Sequence, residues 1–262
     1  GGDTLNGGAG DDTFNYVFGD GADTVNGGAN QDTLNITGTA GNNTLDVVFN
    51  GTALTSVEGG TVTGVERVTA DLLGNGAAGD TLDYTGTAAA VSVTVNLATA
   101  TASGFTAIAA TATTPAIAAI AGIENVSGGS GNDTLTGNDG ANTLNGGANA
   151  GADTLTGGLG TDDLIGGGGN DRFIATVGDG NDTYTGGGGS DTYDLSGTTA
   201  GATITTTTAT SAQTGTDSLA SIENIIGSQG NDTITFNGGV NVIDGQGGAD
   251  TINAGGGNDI VT

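Results

Sequence analysis

The stretch GGGGNDRFIATVGDGNDTYTGGGGSDTYDL, which runs from Gly166 to Leu195, decides the fold. Its glycine clusters are followed by aspartates at Asp171, Asp182 and Asp191, and an aromatic residue stands two positions after each aspartate. A flexible linker would account for the glycines, but it would not require an acidic residue at a regular position. The pattern therefore predicts tight turns that alternate with short strands.

The same unit of nine residues recurs along the whole chain. Full matches to Gly-Gly-x-Gly-x-Asp-x-apolar-x begin at Gly7, Gly128, Gly157, Gly166 and Gly186. A shuffled sequence of this composition would contain on the order of 0.05 such matches, so the repeat is not accidental. Weaker units centre on Asp23, Asp32, Asn43, Asp80, Asn142, Asp153, Asp182, Asp232, Asn241, Asp250 and Asp259.

Composition narrows the possible functions. The 29 acidic residues outnumber two arginines, for a net charge of −27, which argues against nucleic acid as a partner. An anionic membrane surface would repel such a chain, and no apolar run is long enough to span a membrane. A charge of this size must be neutralised by cations if the chain is to be compact.

Catalysis is not expected, because the chain has no His, Cys or Lys from which to build a nucleophile and its base. The acidic pairs Asp11–Asp12 and Asp162–Asp163 resemble catalytic carboxylates, but one member of each occupies the repeat position. We expect the other member to be solvated, and we expect the protein not to be an enzyme.

The nonapeptides resemble the calcium-binding repeats of the RTX family, also called hemolysin-type repeats. The resemblance implies an all-β fold made of parallel β-roll (β-solenoid) blocks, in which two nonapeptides form one coil. Six glycine-rich residues would turn, the last three would form a strand, and multiple Ca²⁺ ions would lie between stacked turns.

The residue types suit this chemistry. Calcium prefers six to eight oxygen ligands from carboxylates and backbone carbonyls, and glycine allows the backbone to turn its carbonyls toward one point. Carboxylates about 4.8 Å apart in adjacent coils would repel by roughly 3 kcal/mol, so a column of them needs divalent cations at neutral pH. A flexible tract and a metal-free solenoid are the alternatives, and neither explains periodic aspartates.

The predicted metal ligands are the repeat aspartates together with the first and third residues of the full repeats. They are Asp3, Gly7, Ala9, Asp12, Asp23, Asp32, Asp80, Gly128, Ser130, Asp133, Asp153, Gly157, Leu159, Asp162, Gly166, Gly168, Asp171, Asp182, Gly186, Gly188, Asp191, Asp232, Asp250 and Asp259. Asn replaces Asp at Asn43, Asn142 and Asn241, where we expect weak calcium binding or none.

The repeats fall into three blocks, residues 1–46, 127–194 and 227–262. They are joined by β-rich excursions over residues 47–126, with a partial repeat near 74–84, and 195–226. We expect longer coils or hairpins that continue the solenoid, and a loop or edge strand over Phe105–Ile120. The excursions end in similar phrases that contain Glu66, Glu124 and Glu223, which we expect to anchor turns or complete calcium shells.

These observations favour a calcium-dependent structural module of a bacterial extracellular or cell-surface protein, most like RTX segments of S-layer proteins, adhesins or surface fibres. The resemblance implies type I secretion and folding in external calcium. Uncapped solenoid ends and exposed edge strands favour self-assembly into a sheet or filament. One alternative is the C-terminal folding and secretion module of an exported enzyme or toxin. Another is an ice-binding adhesin region, because Thr-x-Asn recurs. The chain starts and stops within repeats, so we expect it to be part of a longer protein.

Overall fold

The computed structural model describes residues 1–73, 79–88, 91–106 and 119–262, and these residues form strands and turns without any helix. The all-β prediction is confirmed. The residues divide into two compact units, Gly1–Gly131 and Asn132–Thr262.

The first unit contains thirteen strands among its described residues. They are β1 (Thr4–Ala9), β2 (Thr13–Val17), β3 (Thr24–Ala29), β4 (Thr33–Thr37), β5 (Thr44–Phe49), β6 (Leu54–Val57), β7 (Gly60–Thr63), β8 (Arg67–Asp71), β9 (Thr81–Asp83), β10 (Thr94–Asn96), β11 (Thr101–Ala102), β12 (Ile120–Ala121) and β13 (Asn125–Ser127).

The second unit, described throughout, contains fifteen strands. They are β14 (Thr134–Thr136), β15 (Thr143–Gly147), β16 (Thr154–Thr156), β17 (Asp163–Gly168), β18 (Arg172–Ile174), β19 (Thr183–Gly188), β20 (Thr192–Asp194), β21 (Ala202–Ile204), β22 (Thr208–Ser211), β23 (Gly215–Ala220), β24 (Asn224–Ile226), β25 (Thr233–Thr235), β26 (Val242–Asp244), β27 (Thr251–Asn253) and β28 (Ile260–Val261).

Parallel pairing between successive coils defines the solenoid in each unit. In the first unit, β1 pairs with β3 at a separation of 20 residues, Thr4 opposite Thr24, and β2 pairs with β4 in the same way. In the second unit the separation is 20 residues between β15 and β17, but 18 between β16 and β18. One coil therefore contains two nonapeptides, with two extra residues in some coils, as the RTX resemblance implies.

The two strands of a coil differ in length, which the repeat does not predict. On one side of the second unit the strands have three residues, as in β16 and β18, whereas β17 and β19 have six. The longer strands continue into the first glycines of the next repeat, where Gly167 pairs with Gly187. The expectation that all six glycine-rich residues form a turn is therefore wrong at these positions, because glycine lets neighbouring backbones pair closely there.

The excursions form antiparallel hairpins that lie within the sheets. β5, β6 and β7 form one meander, and β21, β22 and β23 form another. The outer strands of each meander pair in parallel with neighbouring coils, β7 with β3 and β5 with β9, β23 with β19 and β21 with β25. The expected continuation of the solenoid by hairpins is confirmed.

Parts of two predictions lie outside the described residues. Residues 107–118 cover most of the predicted loop or edge strand at Phe105–Ile120, and residues 74–78 begin the predicted partial repeat near 74–84. The described part of that repeat, around Asp80, leads into β9.

The interior of the second unit contains two files of apolar side chains, one from the shorter strands and one from the longer strands. Leu135, Leu155 and Phe173 on one side of the second unit, and Leu144 and Leu164 on the other, are 0% exposed. Each alternates with outward-facing residues, as a two-residue period requires. Aromatic rings join the two files, with the Tyr184 ring centre 5.7 Å from Phe173 and 5.0 Å from Tyr193 in edge-to-face geometry. So thin a core makes the chemistry of the turns important for stability.

Candidate calcium sites in the stacked turns

The repeat aspartates form hydrogen-bonded ladders along the edges of the sheets. The backbone N–H of Asp171 donates to Oδ1 of Asp191 at 2.8 Å, and the N–H of Asp153 donates to Oδ1 of Asp171 at 2.8 Å. Each aspartate therefore binds the backbone of the aspartate one coil earlier. This arrangement stacks carboxylates that are 18 or 20 residues apart in sequence.

Seven such ladders occur among the described residues, with N···O distances between 2.6 and 3.0 Å. In the first unit they are Asp3–Asp23, Asp12–Asp32–Glu66 and Asn43–Asp80–Glu124. In the second unit they are Asp133–Asp153–Asp171–Asp191–Glu223, Asn142–Asp162–Asp182–Asp217, Ala202–Asp232–Asp250 and Asn241–Asp259.

The second carboxylate oxygen of many ladder aspartates is buried without a hydrogen-bond partner in the described structure. These oxygens are Oδ2 of Asp12, Asp32, Asp80, Asp162, Asp171 and Asp191. Leaving a buried polar atom unpaired is costly, and an ionised one more so. The same oxygen is left over in turn after turn, which is the pattern expected of an atom reserved for a cation.

The first glycine of each repeat keeps space open beside this oxygen. A Cβ atom added at Gly166 would overlap Oδ2 of Asp171, and the same holds for Gly157 with Asp162 and for Gly186 with Asp191. The structure therefore brings these predicted ligand residues together. Gly7 lies beside Asp12 in the same way.

The backbone of the turn has the conformation that the repeat predicts. Gly167 and Gly169 have φ angles of 102° and 122°, a region that strains any residue with a Cβ. The predicted carbonyl ligand Gly188 accepts the N–H of Gly169 at 2.8 Å, and a carbonyl oxygen retains a second lone pair. Carboxylate and carbonyl oxygens are hard donors, so these turns fit calcium.

Carboxylates alone do not form a metal site among the residues that the structure describes. No group of three or more His, Cys, Asp or Glu side chains suited to a metal comes together in the parts of the chain that are described. A cation in these turns must therefore take many of its ligands from the backbone, as the predicted set at positions one, three and six supposes. The repeat at residues 128–136 supplies the predicted ligands Gly128, Ser130 and Asp133. Gly128 and Ser130 belong to the first unit and Asp133 to the second, so binding of one ion by all three stays a prediction. Three of the predicted third-position ligands have the following places. Ala9 is the last residue of β1, Gly168 is the last residue of β17, and Leu159 is 43% exposed.

Burial raises the pKa of the stacked carboxylic acids. The pKa values of Asp153, Asp162, Asp171 and Asp191 rise to about 6, chiefly because burial removes water from the charged form. The neighbouring carboxylates raise them further, while the ladder hydrogen bonds act in the opposite direction. A positive ion would remove this penalty.

Neither arginine supplies the missing positive charge to the ladders. Arg172 forms an ion pair with Asp194, which lies outside the ladders, and Arg67 donates to the side chain of Gln31. The stacked carboxylates therefore need counter-ions from solution.

Other predicted ligands occupy different environments. The hydroxyl of Tyr184 donates to Oδ2 of Asp182 at 3.1 Å, and the N–H of Ser228 donates to Oδ2 of Asp232 at 2.8 Å. These two carboxylates already have donors at the oxygen that is unpaired elsewhere. Asp23 is buried, Asp250 and Asp259 are half-buried, and Asp3 is exposed.

Two buried carboxylates, Asp217 and Asp179, are not among the ligands that the sequence predicts. Asp217 takes a ladder position without a preceding glycine cluster, and its Oδ2 accepts the Tyr193 hydroxyl at 2.6 Å. Asp179 lies in an expanded turn, where burial and then the charges of Asp217 and Asp182 raise its pKa to about 7.

Glu66, Glu124 and Glu223 stand in the ladder position of aspartate, which confirms that they anchor turns. The only sequence signal for them is the repeated closing phrase of each excursion.

Coils of two nonapeptides, glycine turns and stacked carboxylates with unpaired oxygens define a parallel β-roll of the metal-binding kind. The chain belongs to the family of RTX calcium-binding nonapeptide repeats, whose family model matches residues 1–16, 19–34, 119–150, 148–173, 176–193, 220–235 and 237–262. No curated protein matches the chain. The described residues include no helix with the length and apolar character needed to cross a membrane.

Proposed function

We propose that this chain is a non-catalytic, calcium-dependent structural module of a bacterial extracellular or cell-surface assembly, such as an S-layer, adhesin or fibre. It is exported by type I secretion and folds when it meets calcium outside the cell. The observation that supports this proposal is the row of buried, unpaired Oδ2 atoms in the stacked turns. Without cations, these ladders place like charges side by side with little apolar core to compensate.

Calcium supplies positive charge and accepts several oxygen ligands at once. The residues that would hold it are the repeat aspartates, such as Asp162, Asp171 and Asp191, with the carbonyl groups of their own turns. Extracellular calcium modules bind with dissociation constants of about 10⁻⁴–10⁻³ M, so such turns would be empty in the cytosol and filled outside. Each bound ion adds folding free energy, because the unfolded chain does not offer the site.

Removal of calcium provides the test. Far-ultraviolet circular dichroism should change from β-rich to largely disordered in excess EGTA, and readdition of calcium should restore the β signal. Calorimetric titration should count about ten ions, roughly one for each well-formed turn. Unchanged β content in EGTA, together with no calcium uptake, would refute the proposal.

Assembly is the second part of this proposal. β1 and β27 lie at the edges of their sheets, and exposed strand edges readily pair with another chain. Sedimentation velocity with and without calcium tests assembly directly. A calcium-loaded protein that stays monomeric at all concentrations would exclude self-assembly and leave calcium binding intact.

A further inference from the structure

The turn formed by residues 38–43 differs from the acidic turns at its last residue. Asn43 stands where the acidic turns have aspartate, and it is 2% exposed. Its backbone N–H donates to Oδ1 of Asp80 at 2.6 Å, so it keeps the ladder position of a repeat aspartate. At this position the two kinds of turn therefore differ only at the end of the side chain.

Three oxygens converge on the amide nitrogen of Asn43. Nδ2 donates to the carbonyl of Thr39 at 3.0 Å, to the carbonyl of Gly41 at 2.7 Å and to Oδ1 of Asp80 at 2.9 Å. Two backbone carbonyls of one turn and a carboxylate of the next coil are the kinds of oxygen that calcium prefers. Here they surround a nitrogen of the protein itself.

The amide oxygen is satisfied as well. Oδ1 of Asn43 accepts the backbone N–H of Thr39 at 3.3 Å and its hydroxyl at 3.0 Å. The Asn43 side chain therefore uses both its donor and its acceptor groups inside its own turn and toward Asp80. In the acidic turns of Asp162, Asp171 and Asp191, by contrast, Oδ2 has no hydrogen-bond partner.

We propose that the amide nitrogen of Asn43 occupies the place that calcium takes in the acidic turns, so that the turn at residues 38–43 closes without a metal ion. This inference rests on the proposed function, in which the acidic turns bind calcium. A neutral amide at this point also spares Asp80 a like-charged neighbour on one side of its ladder. Turns of the same length would thus be closed by two different means within one chain.

The position of this turn gives the substitution a structural use. Asn43 leads directly into β5, where the solenoid changes into the antiparallel hairpins of β5, β6 and β7. These hairpins bury the side chains of Val47, Phe49 and Leu54. The metal-free turn therefore stands at the point where the chain leaves the repeat coils for the hairpins.

The first experiment compares the calcium count of the full chain with that of the Asn43→Asp variant, by equilibrium dialysis. A carboxylate at this position restores the acidic turn, so the variant should bind one more ion than the original protein. Asn42→Asp is the matched control, because it adds the same charge at an exposed neighbour and should leave the count unchanged. An equal count in the original protein and in Asn43→Asp would overturn the inference.

A second measurement uses the unaltered protein and does not depend on how the variant folds. Nitrogen-15 NMR should show the side-chain NH₂ of Asn43 exchanging at least tenfold more slowly than exposed asparagine side chains, as a buried hydrogen-bonded amide does. The measurement is made on the calcium-loaded protein, in which the chain is folded.

The two proposals fail in different ways. A rapidly exchanging Asn43 amide in the folded protein would refute the metal-free turn, whatever the calcium count. A folded protein that takes up no calcium at all would refute the proposed function, while the protected amide would still support the assignment of this turn.

Discussion

Replacing Asp171 with asparagine should change the stability of the fold in opposite directions with and without calcium. Asn keeps an oxygen that can accept the N–H of Asp153, so the ladder hydrogen bond is retained. The substitution removes the negative charge and turns the unpaired Oδ2 into an NH₂ group. The backbone and core are left as they are, so the charge and the ligand are the only changes.

The magnitude follows from the position of Asp171 between Asp153 and Asp191. Carboxylates in adjacent coils, about 4.8 Å apart, repel by roughly 3 kcal/mol at an effective dielectric of 20, and salt reduces this by about half. Removing two such repulsions should stabilise the calcium-free fold by about 3 kcal/mol. With calcium at a hundred times the dissociation constant, loss of one ion should instead destabilise the fold by about 2.7 kcal/mol.

Circular dichroism measures both effects. In calcium-free buffer, Asp171→Asn should reach the β-rich state at a lower concentration of a stabilising osmolyte than the original protein does. In excess calcium, it should unfold at a lower urea concentration. Asp163→Asn removes the same charge at an exposed residue outside the ladders and should change both midpoints little. Shifts of the same sign in both conditions, or an equal effect of Asp163→Asn, would show that the assigned register of the turns is wrong.

One further substitution and a change of pH test the same turns. Gly166→Ala should lower calcium affinity at the central turn, because the added Cβ would overlap Oδ2 of Asp171. Gly197→Ala is the control, because a Cβ there faces open space and should leave the affinity unchanged. Titration calorimetry compares the two variants, and equal affinities would contradict the role assigned to Gly166. Acid should favour the calcium-free fold: the pKa of Asp171 and Asp191 is about 6 when folded and near 3.8 when unfolded, so the folded state binds more protons between these values. Its stability should therefore rise as the pH falls from about 7 to about 4, and a loss of β signal over this range would contradict the raised pKa values.

The sequence by itself determined the repeat, the all-β class and the chemistry of the turns. A period of nine with glycine at fixed positions leaves few conformations for the backbone, and an aspartate at position six with an apolar residue at position eight assigns one side chain to the turn and one to the core. These are local relations, so Asp171 and Phe173 could be assigned without knowledge of the rest of the chain. The excursions could be recognised as strands for the same reason.

Only the tertiary structure decided how the coils align, because that depends on residues 18 or 20 positions apart and on where the extra residues are placed. Stacking put Asp217 and the three glutamates into the ladders without a repeat signal. It also brought the Tyr193 hydroxyl to Asp217, and Oδ1 of Asp80 to the amide of Asn43. Whether a turn keeps an oxygen for a cation or closes on a donor of its own depends on which atoms meet across coils. The nine-residue pattern shows that asparagine replaces aspartate at Asn43, but it does not show which atoms the amide contacts.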